Sequence, residues 1–227
     1  MASNPLKYHW NNDELIDLLA RVSFAEGSLL TDMLHLPEDK YNQMRAEISA
    51  KEFAGLDTDK ARRACEYGMG TGFEITKDSL KYWNDGELCA DCADEVAELL
   101  NFINDEQAAH PLIRTAVAYA WLLNLQPFAE NNDLTARYLM LAMLSKHEHL
   151  SERFYAITEV LFEDESTYHQ MLNNALTDDK NLTKWIYFFL NSMMKAIQKS
   201  LLKYVHESIK TAREKVRNKS NFRKNLK

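Results

Sequence analysis

The stretch from Pro111 to Leu125 constrains this chain more than any other. Ala116, Val117, Ala118, Tyr119, Ala120, Trp121, Leu122 and Leu123 follow one another with no polar face between them. Proline suits the first turn of a helix, and a helix apolar nearly all round is stable only when other elements surround it. The segment therefore predicts a central helix over 111–125 with the rest of the fold wrapped about it. Only 6 glycines and 4 prolines occur in 227 residues, too few turn-formers for a sandwich or barrel. A chain of this length buries roughly 70% of its extended surface, so its core needs no disulfide or metal.

Helical periodicity fills most of the remainder and predicts an all-α fold of eight to ten helices. One helix spans Asn12 to Met33, with Asp13 and Glu14 suited to its first turn. A second covers 39–53, and a short third lies in 55–67 and stops where Gly68-Met69-Gly70-Thr71-Gly72 begins. That glycine cluster lacks the Lys-Ser/Thr ending of a phosphate-binding P-loop. Thr76 or Asp78 caps a short helix through Tyr82, and 91–102 forms the next. After the central helix, a polar loop from Gln126 to Asp133 leads to a helix capped by Asp133. Helices over 151–162 and 166–176 follow, and a long last one starts near Leu182 and loses its apolar periodicity after Ile209.

The formal net charge of −7 hides a division: Lys195 to Lys227 holds 11 basic and two acidic residues, leaving the first 194 residues strongly acidic. Such a body does not attract nucleic acid by its bulk field, and Phe222 alone after Tyr204 is no stacking platform. There is no signal-peptide pattern and no apolar run of membrane-spanning length. Three cysteines, Cys65, Cys89 and Cys92, are no disulfide framework, so a reducing, cytoplasmic setting is expected. Cys89-x-x-Cys92 has the gap of half a zinc site, but no second pair stands close by, and only His147 and His149 offer themselves at a distance. His147-Glu148-His149 reads as a solvated helix end, and His110 as a structural residue at the start of the central helix.

One segment says more than periodicity does. His110-Pro-Leu-Ile-Arg-Thr, the apolar helix, and then Gln126-Pro127-Phe128-Ala129-Glu130-Asn131-Asn132-Asp133-Leu134-Thr135-Ala136-Arg137 resemble the central helix and active loop of the Fic (Fic/Doc) family. Members read H-P-F-x-(D/E)-G-N-G-R-x-x-R there, and Pro127, Phe128, Glu130, Asn132 and Arg137 match. Ser166-Thr-Tyr168, Trp185-Ile186 and Phe188-Phe189-Leu190 resemble the family's closing helices. The resemblance covers about residues 8–205. It divides the chain into an amino-terminal helical extension, 1–68, a Fic-like core, 69–206, and a basic carboxyl-terminal helix end, 207–227.

The resemblance implies a bacterial-type domain that transfers AMP from ATP, with Mg²⁺, to a protein hydroxyl. In such a loop a histidine takes the hydroxyl proton, the acidic residue holds the metal, and glycine amides and arginines cradle phosphate. Here the histidine position is Gln126, the glycine positions are Asn131 and Asp133, and the first arginine position is Leu134. A neutral amide is no general base, and losing one typically costs about 10²–10⁴-fold. Asp133 puts negative charge where phosphate would approach, and Leu134 removes a five-donor fork. Glu130 remains as the metal candidate, and Asn131, Asn132, Asp133 and Arg137 remain as the nucleotide-facing candidates. The interval 75–99 also lacks the alternating pattern of the β-hairpin flap that docks targets in the family.

The family's inhibitory helix, whose glutamate pairs with a loop arginine, has two partial counterparts, Ser23-Phe-Ala-Glu26-Gly27 and Ser49-Ala-Lys-Glu52. Either Glu26 or Glu52 is then the candidate partner of Arg137. The expectation is a degenerate Fic-domain protein without ordinary AMP transfer, a binding or regulatory protein with a protein partner or a second copy of itself. Two other classes stay open: altered chemistry with Glu130 or Asp133 as base and Arg137 as phosphate clamp, and nucleic-acid association or assembly through the basic end.

Overall fold

The structure, a computed structural model, describes residues 8–33, 35–70, 74–148, 155–177 and 181–224. Ten α-helices run through them: α1 (Asn12–Met33), α2 (Glu38–Glu52), α3 (Thr58–Met69), α4 (Lys77–Asn84), α5 (Ala93–Asn104), α6 (Pro111–Leu125), α7 (Asn132–Glu148), α8 (Ile157–Leu161), α9 (Glu165–Thr177) and α10 (Thr183–Lys224). Among the described residues there is no strand, only an isolated parallel bridge between His9 and Asn181. No helix among them is long and apolar enough to cross a membrane.

α6 is the axis. Every residue from Leu112 to Leu122 is buried, Arg114 and Thr115 included. It packs on α7, α5, α10 and α9, so each side of an all-round apolar helix meets a different neighbour. Trp185 of α10 is fully buried and donates its indole N–H to Ala116 O of α6 at 2.8 Å, while its ring stacks on Tyr119. α1 lies along α10, and the chain ahead of it is strapped down: Leu182 N–H donates to His9 O, and Asn11 N–H to Thr183 Oγ1. Tyr8 stands edge-on to Trp121 and accepts from Asn124 at the end of α6. The three helices expected as an amino-terminal extension are thus packed on the core, α1 against α10 and α3 against α7.

Several sequence expectations are corrected. α3 does not stop at Gly68 but runs through it to Met69, because Gly68 is the point where α3 meets α7; a Cβ there would lie 2.1 Å from Ala142 O. The helix expected over 151–162 is described only as Ile157–Leu161, with 151–154 outside the described residues. A 3₁₀ turn, Ala90–Cys92, precedes α5, which starts at Ala93. α10 continues to Lys224, well past the end of its apolar periodicity. Lysine, arginine, glutamate and alanine are good helix formers, and extending an existing helix needs no new nucleus. No hairpin lies between α4 and α5, as the missing strand pattern implied.

His110 caps α6 through its side chain: Nδ1 accepts from Leu112 N–H at 3.3 Å, and its ring lies edge-on to His147. Burial holds its pKa below the usual histidine value, the nearby His147 and Arg114 add to this, and Glu26 opposes it. Protonation would remove the acceptor and place charge at a helix N-terminus. Since the folded pKa lies below the unfolded one, this contribution is full above about pH 6.5 and is lost as pH falls through the folded value. A His110→Asn variant keeps a capping side chain without the titration. Its thermal midpoint is expected to fall less between pH 7.5 and 5.5 than that of the parent; equal slopes in the two proteins would assign the acid sensitivity elsewhere.

Candidate functional site

The loop that follows α6 is held in place by backbone geometry and by amides. Gln126 ends the helix in the left-handed region, φ 45°, with its N–H on Leu122 O, and its side chain is exposed. Pro127 and Phe128 turn inward and are buried. Asn131 also takes a positive φ, 57°, a conformation asparagine tolerates better than most residues. Glu130, Asn131 and Asp133 are exposed.

Asn132 closes the loop on itself. Its Oδ1 accepts from Phe128 N–H at 3.1 Å, and its Nδ2 donates to Phe128 O at 2.8 Å. Asn84, at the end of α4 and buried, donates from Nδ2 to Glu130 O and to Thr135 Oγ1, each at 2.9 Å. Thr135 in turn sends both its N–H and its hydroxyl to Asn131 O. Cys89 N–H donates to Pro127 O at 2.8 Å, so the segment after α4 forms a shelf under the loop. Asp133 is not the cap of α7; the helix begins at Asn132 and Asp133 sits in its first turn. Its charge favours the helix dipole from there.

Arg137, one turn further along α7, is half-buried. Its Nη2 donates to Ala54 O at 2.6 Å, its guanidinium lies 5.3 Å from the centre of the Phe162 ring, and Nε is buried without a partner. Gly55, with φ 74°, makes the turn that brings the Ala54 carbonyl round to it. Leu134 packs partly against the core. Beneath these groups the Tyr119 and Tyr168 hydroxyls share a hydrogen bond of 2.9 Å. Burial first, then Tyr168, raises the Tyr119 pKa well above the ordinary tyrosine value, so both stay neutral at any working pH.

That pair makes a sharp test. Tyr168→Phe or Tyr119→Phe alone strands one buried hydroxyl and is expected to cost about 1–3 kcal/mol, whereas the double variant lies close to the parent because nothing polar is left unpaired. Chemical denaturation of the four proteins checks it; additive losses would show the two hydroxyls acting separately.

The structure does not bring either candidate glutamate onto Arg137. Glu52 is 2% exposed and accepts from Thr158 N–H and Oγ1, both at 3.0 Å, which caps α8. Glu26 accepts from Tyr155 Oη at 2.5 Å and stands 3.5 Å from His147 Nε2, beside His110 at the opposite end of α6 from the loop. His147 is therefore half-buried in a polar cluster rather than on a solvated helix end, and His149 lies outside the described residues. Cys89 is exposed and Cys92 half-buried, not a buried pair on one helix face. Among the described residues no group of three or more histidine, cysteine or acidic side chains is arranged to hold a metal ion.

Sequence reasoning passed over Asn84, Thr135, the Ala54 carbonyl and the tyrosine pair. Asn84 could have been noticed as a polar residue at a helix end beside an apolar run; the carbonyl carries no sequence signal at all.

Comparison with protein-family models finds no match, and no curated protein matches the chain. Among solved structures the chain is similar to a Fic family protein from Desulfovibrio desulfuricans G20, with a TM-score of 0.60 and 15% identity over 89% of this chain and 76% of that one. This is a likeness of fold: the all-α arrangement around α6 is Fic-like.

Proposed function

We propose that this chain keeps the Fic-like frame but not ordinary AMP transfer, and acts as a binding or regulatory protein with a protein partner. One observation carries the reading: the loop's recognition groups are already spent on the protein itself. The Asn132 side chain is spent on Phe128 N–H and O, and the Arg137 guanidinium on the Ala54 carbonyl and the Phe162 ring. The residues do not fit ATP with Mg²⁺. Gln126 supplies no general base near pH 7, Asp133 faces an incoming polyphosphate with like charge, and among the described residues Glu130 belongs to no group of three or more side chains arranged to hold a cation.

The test is incorporation of label from α-phosphate-labelled ATP, with Mg²⁺, into the protein itself or added lysate, beside titration calorimetry with ATP. Incorporation no greater than with heat-denatured protein is expected, with no saturable heat. Transfer that disappears in Glu130→Gln or Arg137→Ala, both still folded, would replace this reading with altered chemistry in the same loop.

A further inference from the structure

The thiols of the Cys89-x-x-Cys92 pair take no part in the loop's closure, and Cys92 packs only partly against the core. The 3₁₀ turn Ala90–Cys92 follows Cys89 directly, and Cys92 N–H donates to Cys89 O at 3.2 Å. A turn closed by such an i→i+3 bond brings its first and last Cα atoms within about 7 Å of each other. A disulfide requires 4.4–6.8 Å. The backbone bond that closes this turn is what holds the two cysteines together. Cys89 is exposed, Cys92 half-buried, and the third cysteine, Cys65, is buried in the core.

We propose that Cys89 and Cys92 are a reversible dithiol–disulfide site that exchanges with low-molecular-weight disulfides of the glutathione class and, when oxidised, stiffens the shelf beneath the 126–131 loop. The exposed Cys89 thiolate attacks one sulfur of the small disulfide; that S–S bond breaks, one thiolate leaves, and a mixed disulfide stands on Cys89. Cys92 then loses its proton to solvent and attacks Cys89 Sγ. The mixed bond breaks and the second small thiolate leaves. Two protein thiols have lost two electrons, the small disulfide has gained them, and the two protons end on the two small thiols.

The surroundings say which state lasts. The neighbouring Cys89 first, then burial, then the charges of Glu95 and Asp91 hold the Cys92 thiol above its usual pKa. An oxidising Cys-x-x-Cys pair owes its potential to a stabilised reduced thiolate, and these acidic neighbours do the reverse. Held as neutral thiols, the pair has no stabilised thiolate to favour the reduced state, and geometry alone decides how far the disulfide is favoured.

The consequence reaches the loop through Cys89, whose N–H holds Pro127 O at 2.8 Å. In the reduced protein that donor sits between Gly86 and a short turn; the disulfide fixes it to the residue that leads into α5. Asn84, five residues earlier, holds Glu130 O, so both supports of the loop belong to one short segment.

The full-length protein, equilibrated in glutathione redox buffers and trapped by alkylation, tests this by mass. A loss of about 2 Da is expected, with residues 89 and 92 in one linked peptide and Cys65 alkylated only after unfolding. The exchange equilibrium is expected to favour the disulfide at least about tenfold more in the folded protein than in the urea-unfolded chain, a shift of ~30 mV for two electrons. Cys92→Ser is expected to stop at a glutathione adduct on Cys89. Equal equilibria in folded and unfolded chains, or linkage through Cys65, would overturn the site. Amide exchange at Cys89 and Phe128 is expected to slow several-fold on oxidation; a disulfide that forms and leaves both unchanged would overturn the link to the loop.

Discussion

Gly68→Ala is expected to lower stability by about 3 kcal/mol, although helix propensity alone predicts a gain of about 1 kcal/mol. The two effects have opposite signs and the packing decides. The new methyl carbon would lie 2.1 Å from Ala142 O and 3.1 Å from Lys146 N, and both are backbone atoms of α7 that no rotamer change can move. α3 and α7 must separate, and theirs is the most extensive helix pairing among the described residues. Gly27, on the exposed side of α1, is the control: a Cβ there meets nothing within 4 Å. Gly27→Ala is expected to stabilise by about 0.5–1 kcal/mol, purely through the backbone. Urea midpoints for the two variants should therefore move in opposite directions, Gly68→Ala downward by about 1 M or more. Equal upward shifts would mean that α3 and α7 do not meet at this residue.

Gly68 also illustrates why part of this fold was legible from sequence and part was not. α1 and α6 have the boundaries read from their residues, 12–33 and 111–125, because a long apolar stripe or an all-round apolar run has one stable solution and Pro111 marks the start. Gly68 was read as a stop because local preference was the only information available, and the close helix crossing that requires it is a fact about residue 142. The site divides the same way. What the loop lacks is written in Gln126, Asp133 and Leu134. What holds it closed is not: Asn132 was legible as a retained position, but its grip on Phe128 is a matter of geometry, and Arg137 is met by a main-chain carbonyl from the turn after α2. Glu52, like Glu26, is a candidate partner for Arg137 only through the resemblance of its segment to the Fic family's inhibitory helix. In the structure the same helix end does approach Arg137, yet the carboxylate turns to Thr158 and the backbone takes the arginine.

Trp185→Ala is expected to have the largest effect of any single change, about 3–5 kcal/mol from the lost packing and its residual cavity. Trp185 is fully buried against Tyr119, Tyr168, Phe188 and Phe189, with centroid separations of 5.8–6.2 Å. It is also the one indole that ties α10 to α6, through Ala116 O. For a chain of this size 1 kcal/mol corresponds to roughly 2–4 °C, so the thermal midpoint should fall by about 10–15 °C. Trp185→Phe separates the two contributions: it keeps an aromatic ring in the cluster and removes the N–H, so a smaller loss, about half that of alanine, is expected. The same pair of variants bears on the site, because α6 presents the 126–131 loop from its far end. If the loop's closure is local, as its asparagine hydrogen bonds indicate, amide exchange at Phe128 in Trp185→Phe stays at the parent's rate while the global midpoint falls. Faster exchange there would mean that α10 holds the loop shut through α6, and that loop and core open as one unit.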